Sequence, residues 1–287
     1  MKSTIIRTLP AADVDMGGLD VKQALPAHGA EQIDPFLLLH HTRVPVEAGT
    51  VALHAGVPPH PHRGFSAVTV VIGGEVHHRD SLGNSSVIGP GGIQWVSAGR
   101  GIVHSERPSA KLASAGGAMD VIQLWVNSPA DKKMVPASYH AATREDLPEV
   151  KLAEGAVLHL IAGEYNGSKA KIPTLSPMDL GRVYAEKGAR FELAFREGYN
   201  AALYLISGKG KAAGHGMIEA HHLYEFEKGS EGVSVVAEED MDILMITGAP
   251  LNEPLATYGP FVMNNQTQIM EALRDHQAGK MGVLIEE

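Results

Sequence analysis

From about residue 35 to residue 128 the chain is a succession of short apolar runs, each broken by Gly, Pro, Asp or Asn, and this most limits what it can fold into. The runs "FLLLHHTRV", "AVTVVIGGEVHHRD", "SSVIGPGGIQWVSAG", "GIVHSE" and "MDVIQLWVN" each hold one or two strands. None keeps a helical apolar period long enough for a stable helix. Between them "DSLGN" reads as a hairpin loop, with Gly83 and Asn84 able to take positive φ. The 32 glycines and 17 prolines are spread along the whole length, which suits many short antiparallel strands.

A second series follows: "AVLHLIAGEY", "GRVYAEKGARFELAF", "NAALYLISGKGKAAG", "HHLYEFEKGS", "GVSVVAEED" and "MDILMITGAP". "AVTVVIGGEV" and "ALYLISGKGKAAG" share one plan, an apolar strand entering a Gly-containing turn and leaving as a polar strand. "VIGPGGIQWVSAG" has a looser counterpart in "LYEFEKGSEGVSVVAEED". The expectation is an all-β chain built from a duplicated antiparallel sandwich or barrel unit. The polar, proline-bearing stretch after Trp125 marks the joint, giving an N-terminal domain over 1–128, a linker over 129–141 and a C-terminal domain over 142–287. The tail "FVMNNQTQIMEALRDHQAGKMG" predicts a helix capped by Asn264 or Asn265 and ended by Gly279. Its apolar face would be Ile269, Met270 and Leu273, laid as a cover across the second barrel.

Composition narrows the chemistry. With 44% apolar and 20% charged residues the chain has the profile of a soluble globular protein. Its net charge of −9, with no run of Lys and Arg, argues against direct nucleic-acid binding. With no cysteine, disulfides and thiolate ligands are excluded, so any metal must sit on nitrogen and oxygen. No apolar run is long enough to span a bilayer, and "MKSTIIRTLPAADVDMGG" lacks the apolar core of a signal peptide, so no membrane partner and a cytoplasmic location are expected.

In "PHPHRGF", His60 and His62 stand at i and i+2, which in an extended strand points both imidazoles to one face. "GRGIVHSERP" repeats the spacing with His104 and Glu106. One H-x-H among 15 histidines is a weak signal; the second pair, after a "GPGG" turn, makes it specific. If both pairs face the interior of one barrel, they offer three imidazole nitrogens and a carboxylate. That set suits Fe, Mn, Co, Ni, Cu or Zn better than Mg or Ca. Four protein ligands leave positions open on a six-coordinate ion, and open positions imply small-molecule binding.

The other candidates read differently. His77 and His78 point to opposite faces and are taken as hairpin residues; His40 and His41 end a strand; His221 and His222 lack a matching pair, leaving the second barrel metal-free. Phe65 and Trp95 are core residues or pocket walls, and Arg100 is a turn residue or a partner for an anion.

"HPHRGF", "DSLGN", "GPGGIQWVSAGRGIVHSE", "IQLWVN" and "APLNEPLATYGPFVMN" together resemble the pirin family of bicupins across nearly the whole chain. The resemblance implies two cupin domains, antiparallel β-barrels or jelly rolls, with one mononuclear metal, iron first, held by His60, His62, His104 and Glu106 in the N-terminal cupin. It implies either a metal-dependent quercetin 2,3-dioxygenase, acting on a flavonol-like molecule and O2 with Glu106 as proton acceptor, or a redox-responsive regulator that binds a protein partner. One departure stands out: Ser66 occupies a position, four residues after His62, where the family carries glutamate. A carboxylate beside the metal is expected to be missing there.

Overall fold

The computed structural model describes residues 3–16 and 19–286. Strands form where the apolar runs predict them: Phe36–Val46, Phe65–Gly73, Val76–Asp80, Ser85–Ile88, Ile93–Ser97, Ile102–Pro108 and Gly117–Asn127. Val57–His62 is also a strand despite its three prolines, because it lies at the edge of its sheet, where missing N–H donors cost little. A short helix over Ala110–Ala115, capped by Ser109, was not expected; six residues are too few to display a period.

The chain divides into two compact units that are not contiguous in sequence. One comprises Met1–Asp13, Lys22–Leu37 and Glu145–Leu251, and the other Val14–Val21, Leu38–Arg144 and Asn252–Glu287. The division at 128 and 142 therefore misplaces both ends of the chain. Ile5–Pro10 pairs antiparallel with His222–Phe226, a long-range contact that no local pattern announces. The segment 129–141 is built into the second of these units rather than linking domains. Ser138–Ala142 pairs with Ile93–Ser97, and the buried Lys133 amine donates to Gly64 O at 2.7 Å, Asn127 Oδ1 at 2.5 Å and Val262 O at 3.2 Å.

In the first unit Ile5–Pro10, His222–Phe226, Asn200–Ser207, Met241–Gly248, Met178–Ala185, Ala156–Ala162 and Glu149–Ala153 lie side by side in that order. A four-stranded sheet runs Arg190–Ala194, Gly232–Ala237, Lys209–Ala212 and Gly216–Glu219. Alternate residues of both, among them Leu158, Val183, Leu193, Leu205, Val235 and Ile243, share one core. The other unit repeats the plan. Its larger sheet includes Ser138–Ala142, Ile93–Ser97, Phe65–Gly73 and Gly117–Asn127, and its four-stranded sheet runs Val57–His62, Ile102–Pro108, Val76–Asp80 and Ser85–Ile88. Two antiparallel cupin units result, as the internal repeat predicts.

Gly64 joins Val57–His62 to Phe65–Gly73 at φ +86°, and a Cβ there would stand 2.0 Å from the Val262 carbonyl oxygen, so only glycine fits the bend that follows the two histidines. In "DSLGN", Gly83 takes φ +89°, while Asn84 closes the loop by donating its backbone N–H and Nδ2 to Asp80.

The terminal helix spans Gln266–Gln277, with Asn265 Oδ1 capping Gln268 N at 3.0 Å. It packs in the unit of His60 and His104, where Ile269 and Ala272 share a cluster with Val103, Phe261 and Met263, and so belongs to the first barrel in the sequence rather than to the second. Met270, expected on the apolar face, is exposed; Ala272 takes the contact beside Ile269 and Leu273. No described helix is long and apolar enough to cross a membrane.

Candidate metal centre

Two antiparallel pairings build the site. Val57–His62 runs against Ile102–Pro108 with His60 directly opposite His104, and Val76–Asp80 flanks the same strand on its other side with Asp80 opposite His104 and His78 opposite Glu106. The two-residue period of a strand then brings His62 to the face that carries His60. Ring centroids lie 4.7 Å apart for His60 and His62, 4.4 Å for His60 and His104, and 4.9 Å for His62 and His104. One ring nitrogen from each comes within 4.8 Å of the other two.

Which nitrogens converge follows from the hydrogen bonds. His60 Nδ1–H donates to Pro58 O at 2.8 Å, and His62 Nδ1–H donates to Pro260 O at 3.4 Å. Carbonyl oxygens only accept, so the proton of the neutral ring sits on Nδ1 and leaves the lone pair on Nε2. His104 Nδ1 lies 3.4 Å from His78 Nδ1, and among the described residues its buried Nε2 has no hydrogen-bond partner. Burial holds His62 and His104 well below the ordinary imidazole value, with neighbouring His60 adding to it, so both are neutral bases. Three clustered imidazoles, one with an orphaned buried nitrogen, fit a divalent transition metal.

Glu106 stands apart from the three. Val57–His62 carries an extra residue between Val57 and His60, and past that irregularity Glu106 pairs with Val57. Thr69 Oγ1 lies 2.5 Å from Glu106 Oε1 and 3.0 Å from Gln123 Oε1; with one proton, it donates to the nearer oxygen. Glu106, Thr69, Gln123, His60 and His62 all face a cavity of about 340 Å³, walled by Leu38, Val44, Val57, Met119, Val121 and Trp125. The volume and apolar walls suit a small, flat organic molecule.

Several residues play parts that the sequence alone did not show. His40 lines the cavity, its imidazole brought down to about 4 by burial, instead of merely ending a strand. His41 contacts Asp120 Oδ1 through Nε2 at 2.9 Å. His77 is a hairpin residue, bonded to Ser85 at 2.9 Å, but His78 is fully buried against His104 and stacks on Tyr139 at 4.1 Å with 7° between planes. Phe65 touches His62 at 5.0 Å and Trp125 at 4.3 Å, whereas Trp95 is buried core. Arg100 serves through its backbone, its carbonyl accepting from Arg63 Nε at 2.6 Å and its N–H donating to Val135 O at 2.9 Å. Ser66 lies on the face of its strand opposite Thr69, bonded to Ser97 Oγ at 3.2 Å, so a carboxylate at 66 would point away from the three imidazoles.

The pirin profile matches residues 18–126, and the profile of the pirin C-terminal cupin domain matches residues 182–282. The chain is 34% identical to a pirin-like protein of Solanum lycopersicum over 280 residues, 96% of this chain and 91% of that one. It is 32% identical to pirin of Homo sapiens over 273 residues, 92% and 89% of the two chains. Among solved structures it is similar to a quercetin 2,3-dioxygenase of Acinetobacter baumannii, with a TM-score of 0.91, 34% identity, and 99% and 100% of the two chains covered. Matched along both cupin units, the chain belongs to the pirin family of bicupins.

Proposed function

We propose that the protein is a metal-dependent dioxygenase of the quercetin 2,3-dioxygenase type, taking a flavonol-like substrate and O2 to a ring-opened ester and carbon monoxide. The observation that carries this reading is a cluster of three imidazoles, His60, His62 and His104, two of which line an apolar cavity that also holds the Glu106 carboxylate. Similarity to the Acinetobacter quercetin 2,3-dioxygenase over the whole chain supports it.

His60, His62 and His104 would hold the metal, with iron first among the candidates and Mn, Co, Ni, Cu or Zn compatible with the same donors. When bound, the ion supplies Lewis acidity that lowers the pKa of a chelating hydroxyl, together with the redox partner that O2 chemistry needs. Glu106 accepts the flavonol 3-hydroxyl proton, and Thr69 holds its carboxylate at the cavity wall. Trp125, Met119 and Val121 pack against the aromatic rings and exclude water from the reacting carbons.

The test is spectroscopic. Purified protein with measured metal content is mixed with a flavonol under oxygen, and loss of the flavonol absorbance is followed alongside carbon monoxide release. Metal-bound protein that leaves the absorbance unchanged refutes the reading.

A further inference from the structure

Metal ligation through Nε2 requires the proton of each imidazole to sit on Nδ1. For His60 and His62 a backbone carbonyl takes that proton in a hydrogen bond, and a carbonyl cannot do otherwise. His104 has no carbonyl there. Its Nδ1 meets another imidazole, His78, which either donates or accepts according to where its own proton lies.

Asp80 settles that choice. Its Oδ2 lies 3.0 Å from His78 Nε2, and its Oδ1 already accepts from Leu82 N at 2.9 Å, Asn84 N at 3.0 Å and Asn84 Nδ2 at 3.1 Å. Four donors around one carboxylate leave it no role but acceptor, so His78 carries its proton on Nε2 and turns the lone pair of Nδ1 toward His104. The ring of His78 cannot rotate away, because Tyr139 is stacked on it and the side chain is fully buried.

We infer that Asp80 and His78 form a positioning relay that fixes the tautomer of His104 and so presents its Nε2 to the metal. The inference rests on the reading of His104 as a ligand, and it adds two residues that touch neither metal nor substrate. Asp80→Asn is the sharp perturbation. The single oxygen of asparagine stays where the two backbone N–H groups point, its NH2 faces His78 Nε2, and the proton of His78 is driven to Nδ1. Two N–H groups would then face each other, and His104 must move its own proton to Nε2, where it blocks ligation.

The experiment reads the full-length, metal-free protein near neutral pH by long-range 1H–15N correlation of the imidazoles, then titrates it with Co2+ alone. The expected result is His78 protonated at Nε2 and His104 at Nδ1, reversal of both in Asp80→Asn, and Co2+ affinity about 10- to 100-fold weaker in that variant. His78→Gln, whose amide oxygen can still accept from His104, is expected to bind Co2+ much more tightly than His78→Leu. Wild-type protein with His104 protonated at Nε2 overturns the relay whether or not any variant folds. So does an Asp80→Asn variant that binds Co2+ as well as wild type, or a His78→Gln variant no better than His78→Leu. Wild-type protein that takes up no Co2+ refutes the metal reading instead, and its tautomers still decide whether the relay exists.

Discussion

Thr69 Oγ1 donates to Glu106 Oε1 at 2.5 Å, which ties that carboxylate to the cavity wall outside the group formed by His60, His62 and His104. The same carboxylate faces the cavity, where a substrate hydroxyl would reach it. Glu106→Gln keeps the size and the contact with Thr69 but not the basicity. The variant is expected to retain its metal within a factor of about two while flavonol turnover falls on the order of 10²- to 10⁴-fold, the usual range for a lost general base. Metal content by elemental analysis beside the initial rate checks both halves; loss of metal in step with activity would make Glu106 a ligand.

The strands and the three imidazoles were legible in the sequence for the same reason: a period of two residues places His60 and His62, and likewise His104 and Glu106, on one face of their strands. What lay beyond it depends on pairing across strands. His78 is 26 residues from His104, and only the register that sets Glu106 opposite His78 brings the two rings together. The irregularity between Val57 and His60, which separates Glu106 from the imidazoles, likewise has no signature in "VPPHPH". Membership of the two units was hidden as well. It rests on Ile5–Pro10 pairing with a strand more than 200 residues away and on Ile269 packing beside Val103.

The residues that follow each of the two site residues of Ile102–Pro108, Ser105 and Arg107, reach in the opposite direction. Ser105 Oγ donates to Glu286 Oε1 at 2.7 Å and Arg107 Nη2 to Glu286 Oε2 at 2.7 Å, so the C-terminal segment braces the outer face of the strand. Burial alone would raise the Glu286 carboxyl; Arg107 and Ser105 outweigh it and hold the group below its ordinary value of 4.5. A depressed carboxyl contributes stability above its unfolded pKa and loses it as pH falls through the folded one. Glu286→Gln is therefore expected to cost about 1–3 kcal/mol near neutral pH, with the gap to wild type closing as acid takes the pH from the ordinary carboxyl value down through the lowered one. Urea melts of both proteins across that range measure it; a gap constant with pH would show that the charge is not what braces the strand.

Lys133 is the one lysine among the described residues whose side chain ranks with the largest fully buried ones, and its three acceptors match the three donors of an ammonium. Lys133→Met fills similar space and leaves Gly64 O, Asn127 Oδ1 and Val262 O unsatisfied, for an expected loss of about 2–4 kcal/mol. Burial brings the amine down to about 8, while the unfolded chain holds the same proton up to 10.5. Between those values the unfolded state binds more protons, so the contribution of this position to stability rises with pH across the interval. Wild type should gain on Lys133→Met between about pH 8 and pH 10, a comparison made by denaturant titration at each pH; a difference that shrinks over that interval contradicts the assignment.

Ser66 offers the last test, because it separates position in the sequence from position in space. Phe65–Gly73 pairs without irregularity from Ser66 to Val70 against Ile93–Ser97, so Thr69 faces the cavity and Ser66, Val68 and Val70 face the other way, all buried. A glutamate introduced at 66 would meet Ser97 Oγ in a buried, apolar stretch of strand. Ser66→Glu is thus expected to lower stability by about 3 kcal/mol or more, through the cost of burying an unpaired carboxylate. Its effect on Co2+ affinity should be small, provided the variant is assayed where it remains folded by circular dichroism. Tighter metal binding in Ser66→Glu would mean that the strand can turn this side chain toward the imidazoles, and the two-faced reading of Phe65–Gly73 would be wrong.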